Sequence, residues 1–102
     1  MSDIKVLEQR ALEIRRRYDE LNKRESGVSW DAQKLANGFK KNVEDLIAIV
    51  SKKNIDRKKL EHELSDCLWS VLVISRKLDV DIERAFWATM AELDIRLDKG
   101  LA

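Results

Sequence analysis

The chain has 102 residues, 38 % of them charged and 44 % hydrophobic, with three glycines and no proline. This length fits one domain, and so few helix breakers favour helices. The formal net charge of +1 provides no bulk attraction to nucleic acid or to a membrane, so neither is expected as a partner.

The opening segment "MSDIKVLEQR" is charged from its third residue and does not read as a signal peptide. Ile4, Leu7, Ala11, Ile14, Tyr18 and Leu21 then recur every three or four residues, which predicts an amphipathic helix over about 3–25. Arg15, Arg16 and Arg17 read as part of its solvated face. "ESGVS" breaks the pattern at Gly27, and Ser29 is the expected cap of a second helix over about 30–51. Its apolar line is Leu35, Phe39, Val43, Leu46 and Val50, with Ile47 alongside. "SKKNID" is a joint in which Asn54 or Asp56 caps a third helix over about 57–78. That helix places Leu60, Leu64, Cys67, Leu68, Val71 and Leu72 on its apolar side. The uncharged run from Cys67 to Ser75 is too short to span a bilayer. Cys67 is the single cysteine, so no internal disulfide forms and a reducing compartment is the simple reading. "LDVD" is a tight joint in which Asp79 or Asp81 caps a fourth helix over about 82–98, striped by Ile82, Ala85, Phe86, Met90, Leu93 and Leu97. Long amphipathic helices on short joints predict an all-α, antiparallel four-helix bundle. A core of this size is marginal alone, so an oligomer is expected. The chain reads as a soluble cytoplasmic protein.

The third helix poses a chemical question. Glu63 and Asp66 stand three residues apart, on neighbouring points of one face that also takes in Cys67 and Ser70. Carboxylates bordering a core need compensation. Lys58, Lys59 and Arg76 are candidates at the rim. A hard divalent cation, which prefers oxygen ligands, is the other. The second helix repeats the spacing with Asn42 and Asp45 at the edge of its apolar stripe. Antiparallel packing of the two helices brings both pairs face to face.

Two such pairs in a small helical chain resemble the MazG-like, or all-α, NTP pyrophosphohydrolases. The family pattern is Glu-x-x-Glu, a spacer, then Glu-x-x-Asp; here it reads Asn42-x-x-Asp45, then Glu63-x-x-Asp66. The stretch "HELSDCLWSVLVISRKLDVDIERAF" carries most of the likeness, which runs from about Trp30 to Arg96. The resemblance implies a bundle of the all-α NTP pyrophosphatase type, assembled as a homodimer or homotetramer. It implies hydrolysis of nucleoside triphosphates to the monophosphate and pyrophosphate with Mg2+, for which Mn2+ can substitute. Asn42, Asp45, Glu63 and Asp66 would be the metal ligands, with Asp45, Glu63 and Asp66 the catalytic acids. Two departures bear on this. Asn42 stands where the family usually has an acid and brings an oxygen without a charge. Ala88 and Thr89 precede Met90 where the family often carries a lysine, leaving Arg96 as the matching basic position.

Lys41 and Arg96 are the candidate phosphate contacts. Trp69 reads first as a core residue and second as a platform for a base. Trp30 and Trp87 read as core or interface residues, with Trp87 beside Phe86 suited to a subunit contact. Cys67 reads as a small core residue. His62 projects about 100° from Glu63 and reads as a surface residue, with a proton-transfer role as the other reading. The leading expectation is a nucleotide pyrophosphohydrolase that clears unwanted NTPs. Its alternative is a catalytically weak or inactive MazG-like bundle that binds nucleotides or proteins.

Overall fold

Three aspartates mark where helices begin. In the computed structural model, which describes residues 3–26 and 31–100, the elements are α1 (Asp3–Ser26), α2 (Ala32–Val50), α3 (Arg57–Lys77) and α4 (Ile82–Asp98). No strand occurs among the described residues, and the fold is all-α with four helices. Asp31, Asp56 and Asp81 are the N-caps of α2, α3 and α4, each in extended backbone. Their Oδ1 atoms accept from the backbone N–H groups of Lys34, Lys59 and Arg84 at 2.9, 3.2 and 3.2 Å. A short acidic side chain satisfies an orphan N–H there and complements the positive end of the helix dipole. The cap of α2 is thus Asp31. Ser29, expected there, lies outside the described residues, as do Gly27 and Trp30. Asp79 does not cap. It takes a left-handed turn at φ 57°, which Asp tolerates better than most residues, and the Val80 N–H closes the joint on the Ser75 carbonyl at 2.7 Å.

The core is small. Ala11, Leu35, Leu72 and Val73 form it, with Ile4, Trp69, Ile74 and Ile82 packed around them. α2 and α3 make the principal contact and α1 lies against α3. α4 has no buried residue. Its N-cap is tied to α1 by an ion pair of Lys5 with Asp81 at 3.6 Å. The radius of gyration is 16.5 Å, against about 13 Å for a compact domain of this length. The helices therefore leave apolar faces open.

α1 departs from the expected pattern in an informative way. Of its apolar stripe only Ala11 is buried, while Leu7, Tyr18 and Leu21 are 46 %, 50 % and 41 % exposed. The residues turned inward beside Ala11 are Glu8 and Arg15, at 4 % and 9 % exposure. Arg15 is therefore not part of a solvated basic face. Leu64 and Leu68 of α3 and Phe86 of α4, expected in the core, are also exposed. Periodicity identifies an apolar face correctly, but it does not say which surface covers that face.

Candidate functional site

The carboxylate pair of α3 is completed by a histidine. His62, Glu63 and Asp66 each offer a donor atom, and the three atoms lie within 4.8 Å of one another. His62 Nε2 is 3.1 Å from Asp66 Oδ2, a contact that the i, i+4 spacing of one helix turn makes available. Glu63 Oε2 is enclosed and has no hydrogen-bond partner among the described residues. Buried carboxylate oxygens are ordinarily paired, so an orphan of this kind needs an explanation. Lys58, Lys59 and Arg76, the rim cations expected to compensate these acids, form no described ion pair with them.

α2 meets α3 beside this cluster through Asn42. Asn42 donates from Nδ2 to Ser70 Oγ at 2.8 Å and to the Asp66 carbonyl at 3.3 Å. That bond supplies a partner for Ser70, which is buried in α3. Asp45 Oδ1 accepts from Lys41 Nζ at 3.0 Å. The hydrogen bond and charge of Asp45, reinforced by the nearby Glu44 and Glu63, push the Lys41 ammonium above its ordinary pKa. Asp45 does not join the group formed by His62, Glu63 and Asp66. Arg96 is exposed near the end of α4, and no described hydrogen bond or ion pair links it to the cluster. Cys67, directly after Asp66, is half-buried. Burial, and then the charges of Asp66 and Glu63, push its thiol up, so it is a poor nucleophile at neutral pH.

A cleft of about 700 Å³ opens beside the cluster, between α1, α2 and α3. That volume suits a small organic ligand. Lys41, Asn42 and Ser70 line it, while His62, Glu63 and Asp66 do not; the link to the acidic group is Asn42, which reaches the Asp66 carbonyl. Arg15, Lys34 and Lys41 supply positive charge, Tyr18 and Trp69 supply ring faces, and Asn22 and Asn37 supply amides. Trp69 is fixed by its Nε1–H, which donates to the Ala11 carbonyl at 3.1 Å. Tyr18 tilts against it with centroids 5.9 Å apart. The Arg15 guanidinium lies 5.6 Å from the Tyr18 centroid and 5.7 Å from that of Trp69. Its other flank pairs with Asp19 at 3.2 Å. Such placement over two rings is a cation–π arrangement.

The structure thus brings Glu63, Asp66, Asn42, Lys41 and Trp69 to neighbouring positions and leaves Arg96 apart. It adds His62, Arg15 and Tyr18. The i, i+4 relation of His62 to Asp66 is present in the sequence. The angle of His62 to Glu63 pointed away from it, because adjacent residues diverge even when their long side chains converge. Nothing local to α1 signals that Arg15 meets Trp69. No family model matches the chain, and neither a curated protein nor a solved structure matches it significantly.

Proposed function

We propose that this chain is a divalent-metal-dependent nucleotide pyrophosphohydrolase of the MazG-like type, acting on nucleoside triphosphates and releasing pyrophosphate. The observation that carries the reading is the α2–α3 seam, where the cleft lies next to the acids. Lys41 and Asn42 belong at once to a cleft with cations and ring faces and to the helix pair that holds the acids. A triphosphate needs both environments side by side. Phosphoryl-type transfers need positioning and charge stabilisation more than covalent chemistry.

The acids fit a bound cation, because Glu63 Oε2 lacks a partner and the donors are mostly oxygens. Glu63 and Asp66 would hold the ion, with Asp45 as a further ligand once Lys41 releases it and Asn42 as a neutral one. When bound, Mg2+ neutralises phosphate charge and activates the attacking water. Lys41 leaves Asp45 for a phosphate oxygen. Arg15 and Lys34 add positive charge on the cleft side, and Trp69 or Tyr18 offers a ring face to the base. Trp69 keeps its place because its N–H is spent on α1.

In this reading α2 and α3 run antiparallel. Leu35 shares the core with Leu72 and Val73, while the later Asn42 meets the earlier Asp66, which supports it. The chain assembles as a homodimer or homotetramer, consistent with Leu64 and Leu68 on α3 and Trp87 on α4 being exposed. None of the described helices is long and apolar enough to cross a membrane. A free, half-buried Cys67 accords with work in the reducing cytoplasm.

One specific pair of contacts favours a second reading, a bundle that binds nucleotides without hydrolysing them. Lys41 already neutralises Asp45, and Asn42 brings no charge. A panel of NTPs and dNTPs with Mg2+ or Mn2+, scored both for binding and for pyrophosphate release, separates the two. Release supports the enzyme, binding without release supports the second reading, and neither result removes both.

A further inference from the structure

The histidine at the acidic cluster changes which ion that cluster suits. We propose that His62 is a metal ligand, and that the His62–Asp66 clamp makes the centre select a transition-metal divalent cation of the Mn2+ and Zn2+ class over Mg2+. This inference rests on the reading of Glu63 and Asp66 as metal ligands.

The argument begins with what each donor is doing. On α2, Asn42 turns its Nδ2 to Ser70 and to the Asp66 carbonyl, and one oxygen of Asp45 accepts from Lys41. The donors that already stand together are on α3: an imidazole nitrogen and one oxygen from each of two carboxylates. Glu63 Oε2 is enclosed without a partner, an observation independent of the spacing that itself calls for a positive or donating group. The geometry needs little change. Donors bound to one ion at about 2.1 Å stand no more than about 4.2 Å apart, and these three lie within 4.8 Å. His62 Nε2 and Asp66 Oδ2, at 3.1 Å, already have the separation of neighbouring ligands on a single ion.

The chemistry then decides between ions. Mg2+ favours oxygen donors and gives up its waters reluctantly. Imidazole suits the later first-row metals, whose affinity for a given site rises from Mn2+ to a maximum at Cu2+, with Zn2+ well above Mn2+. A nitrogen in one of three positions therefore penalises Mg2+ most and favours Zn2+ most, with Mn2+, which also takes oxygen donors, between them. The residue that distinguishes this centre from an all-oxygen one is His62.

The test is calorimetric titration of the whole chain, the His62→Gln variant and the Glu63→Gln variant with Mg2+, Mn2+ and Zn2+, paired with pulsed electron paramagnetic resonance of bound Mn2+. His62 is exposed, so its variant should fold, which circular dichroism verifies. The parent should bind Mn2+ at least about tenfold more tightly than Mg2+. His62→Gln should lose about tenfold or more for Mn2+ and Zn2+, the least that losing a supporting group costs, with Mg2+ binding little changed. A nitrogen coupling on bound Mn2+ should be present in the parent and absent from His62→Gln. Equal Mn2+ affinity in parent and variant, or no nitrogen coupling, overturns the proposal while leaving an oxygen-only metal site standing. No binding of any divalent ion overturns both the proposal and the metal reading beneath it. Tight His62-dependent Mn2+ binding without pyrophosphate release upholds the proposal and counts against the enzyme.

Discussion

Replacing Asn42 by aspartate tests the wiring between α2 and α3. Asn42 Nδ2 donates to Ser70 Oγ at 2.8 Å and to the Asp66 carbonyl at 3.3 Å. A carboxylate of the same shape cannot donate. The Ser70 hydroxyl can turn and donate to it, so that contact survives with reversed polarity. The contact with the Asp66 carbonyl becomes a repulsion between two oxygens, and a new charge stands beside the acids of α3. Losing one partly buried hydrogen bond and setting a carboxylate against a carbonyl oxygen costs about 1–2 kcal/mol. At about 4–8 °C per kcal/mol for a domain near this size, the metal-free variant should melt roughly 4–16 °C below the parent. A divalent cation should reverse the order of effects, because aspartate adds the charge that asparagine lacks. If the variant binds the ion with a Kd of about 1 mM, about 10 mM of it stabilises the fold by about 1.4 kcal/mol. Thermal melts of both proteins with and without Mg2+ or Mn2+ measure all of this. The expected result is a lower Tm without metal and a larger metal-induced rise than the parent shows. Equal melting without metal would refute the assigned Asn42 contacts. An equal metal-induced rise would refute the placement of position 42 at the metal centre.

Other outcomes follow from the same geometry. Arg15→Met keeps the length of the side chain but removes the charge that lies over Trp69 and Tyr18 and pairs with Asp19; it should cost about 1–2 kcal/mol in chemical denaturation, and Arg15→Lys should not restore it, since ammonium lacks the planar stacking face. Asp81 has its carboxyl held below the ordinary range, first by the Arg84 backbone N–H and also by the charge of Lys5. A depressed folded pKa means its stabilisation is complete above the ordinary carboxylate pKa of about 3.9 and is lost as pH falls through the lower folded value. Acid melts of Asp81→Asn should accordingly be less steep with pH than those of the parent, and identical slopes would count against the cap. Trp87, 65 % exposed on a helix with no buried residue, should be a subunit contact; Trp87→Glu should reduce the mass seen by light scattering, and a parent that is monomeric at micromolar concentration contradicts this.

What the sequence made legible follows from what is local in it. Helix periodicity and the aspartates before each apolar run are local features, and the four helices begin and end close to where those features stand. Asp56 and Asp81 were each one of two candidates, and backbone conformation chose between them, since Asp79 takes the left-handed turn instead. The apolar stripe of α1 was equally visible, but its outward direction was not. Burial of Arg15 in its place brings it over Trp69, far along the chain. The i, i+3 pairs were legible as spacing. The amide direction of Asn42 was not, because it depends on Ser70 across a helix interface. The His62–Asp66 relation is legible in the i, i+4 spacing, although the angle between His62 and Glu63 points the other way. The cleft could not be read at all, because it exists only where three helices meet.

The central claim is that Glu63 and its neighbours hold a cation that lets this chain split a triphosphate between its α and β phosphates. Product analysis tests it most directly: each NTP and dNTP is incubated with the protein and with Glu63→Gln, in Mg2+ and in Mn2+, and the nucleotide and phosphate products are counted. The account predicts monophosphate and pyrophosphate in equal amounts from at least one substrate, and none above background from Glu63→Gln. Diphosphate and inorganic phosphate as the products, no turnover of any substrate with either ion, or undiminished turnover by Glu63→Gln would contradict it.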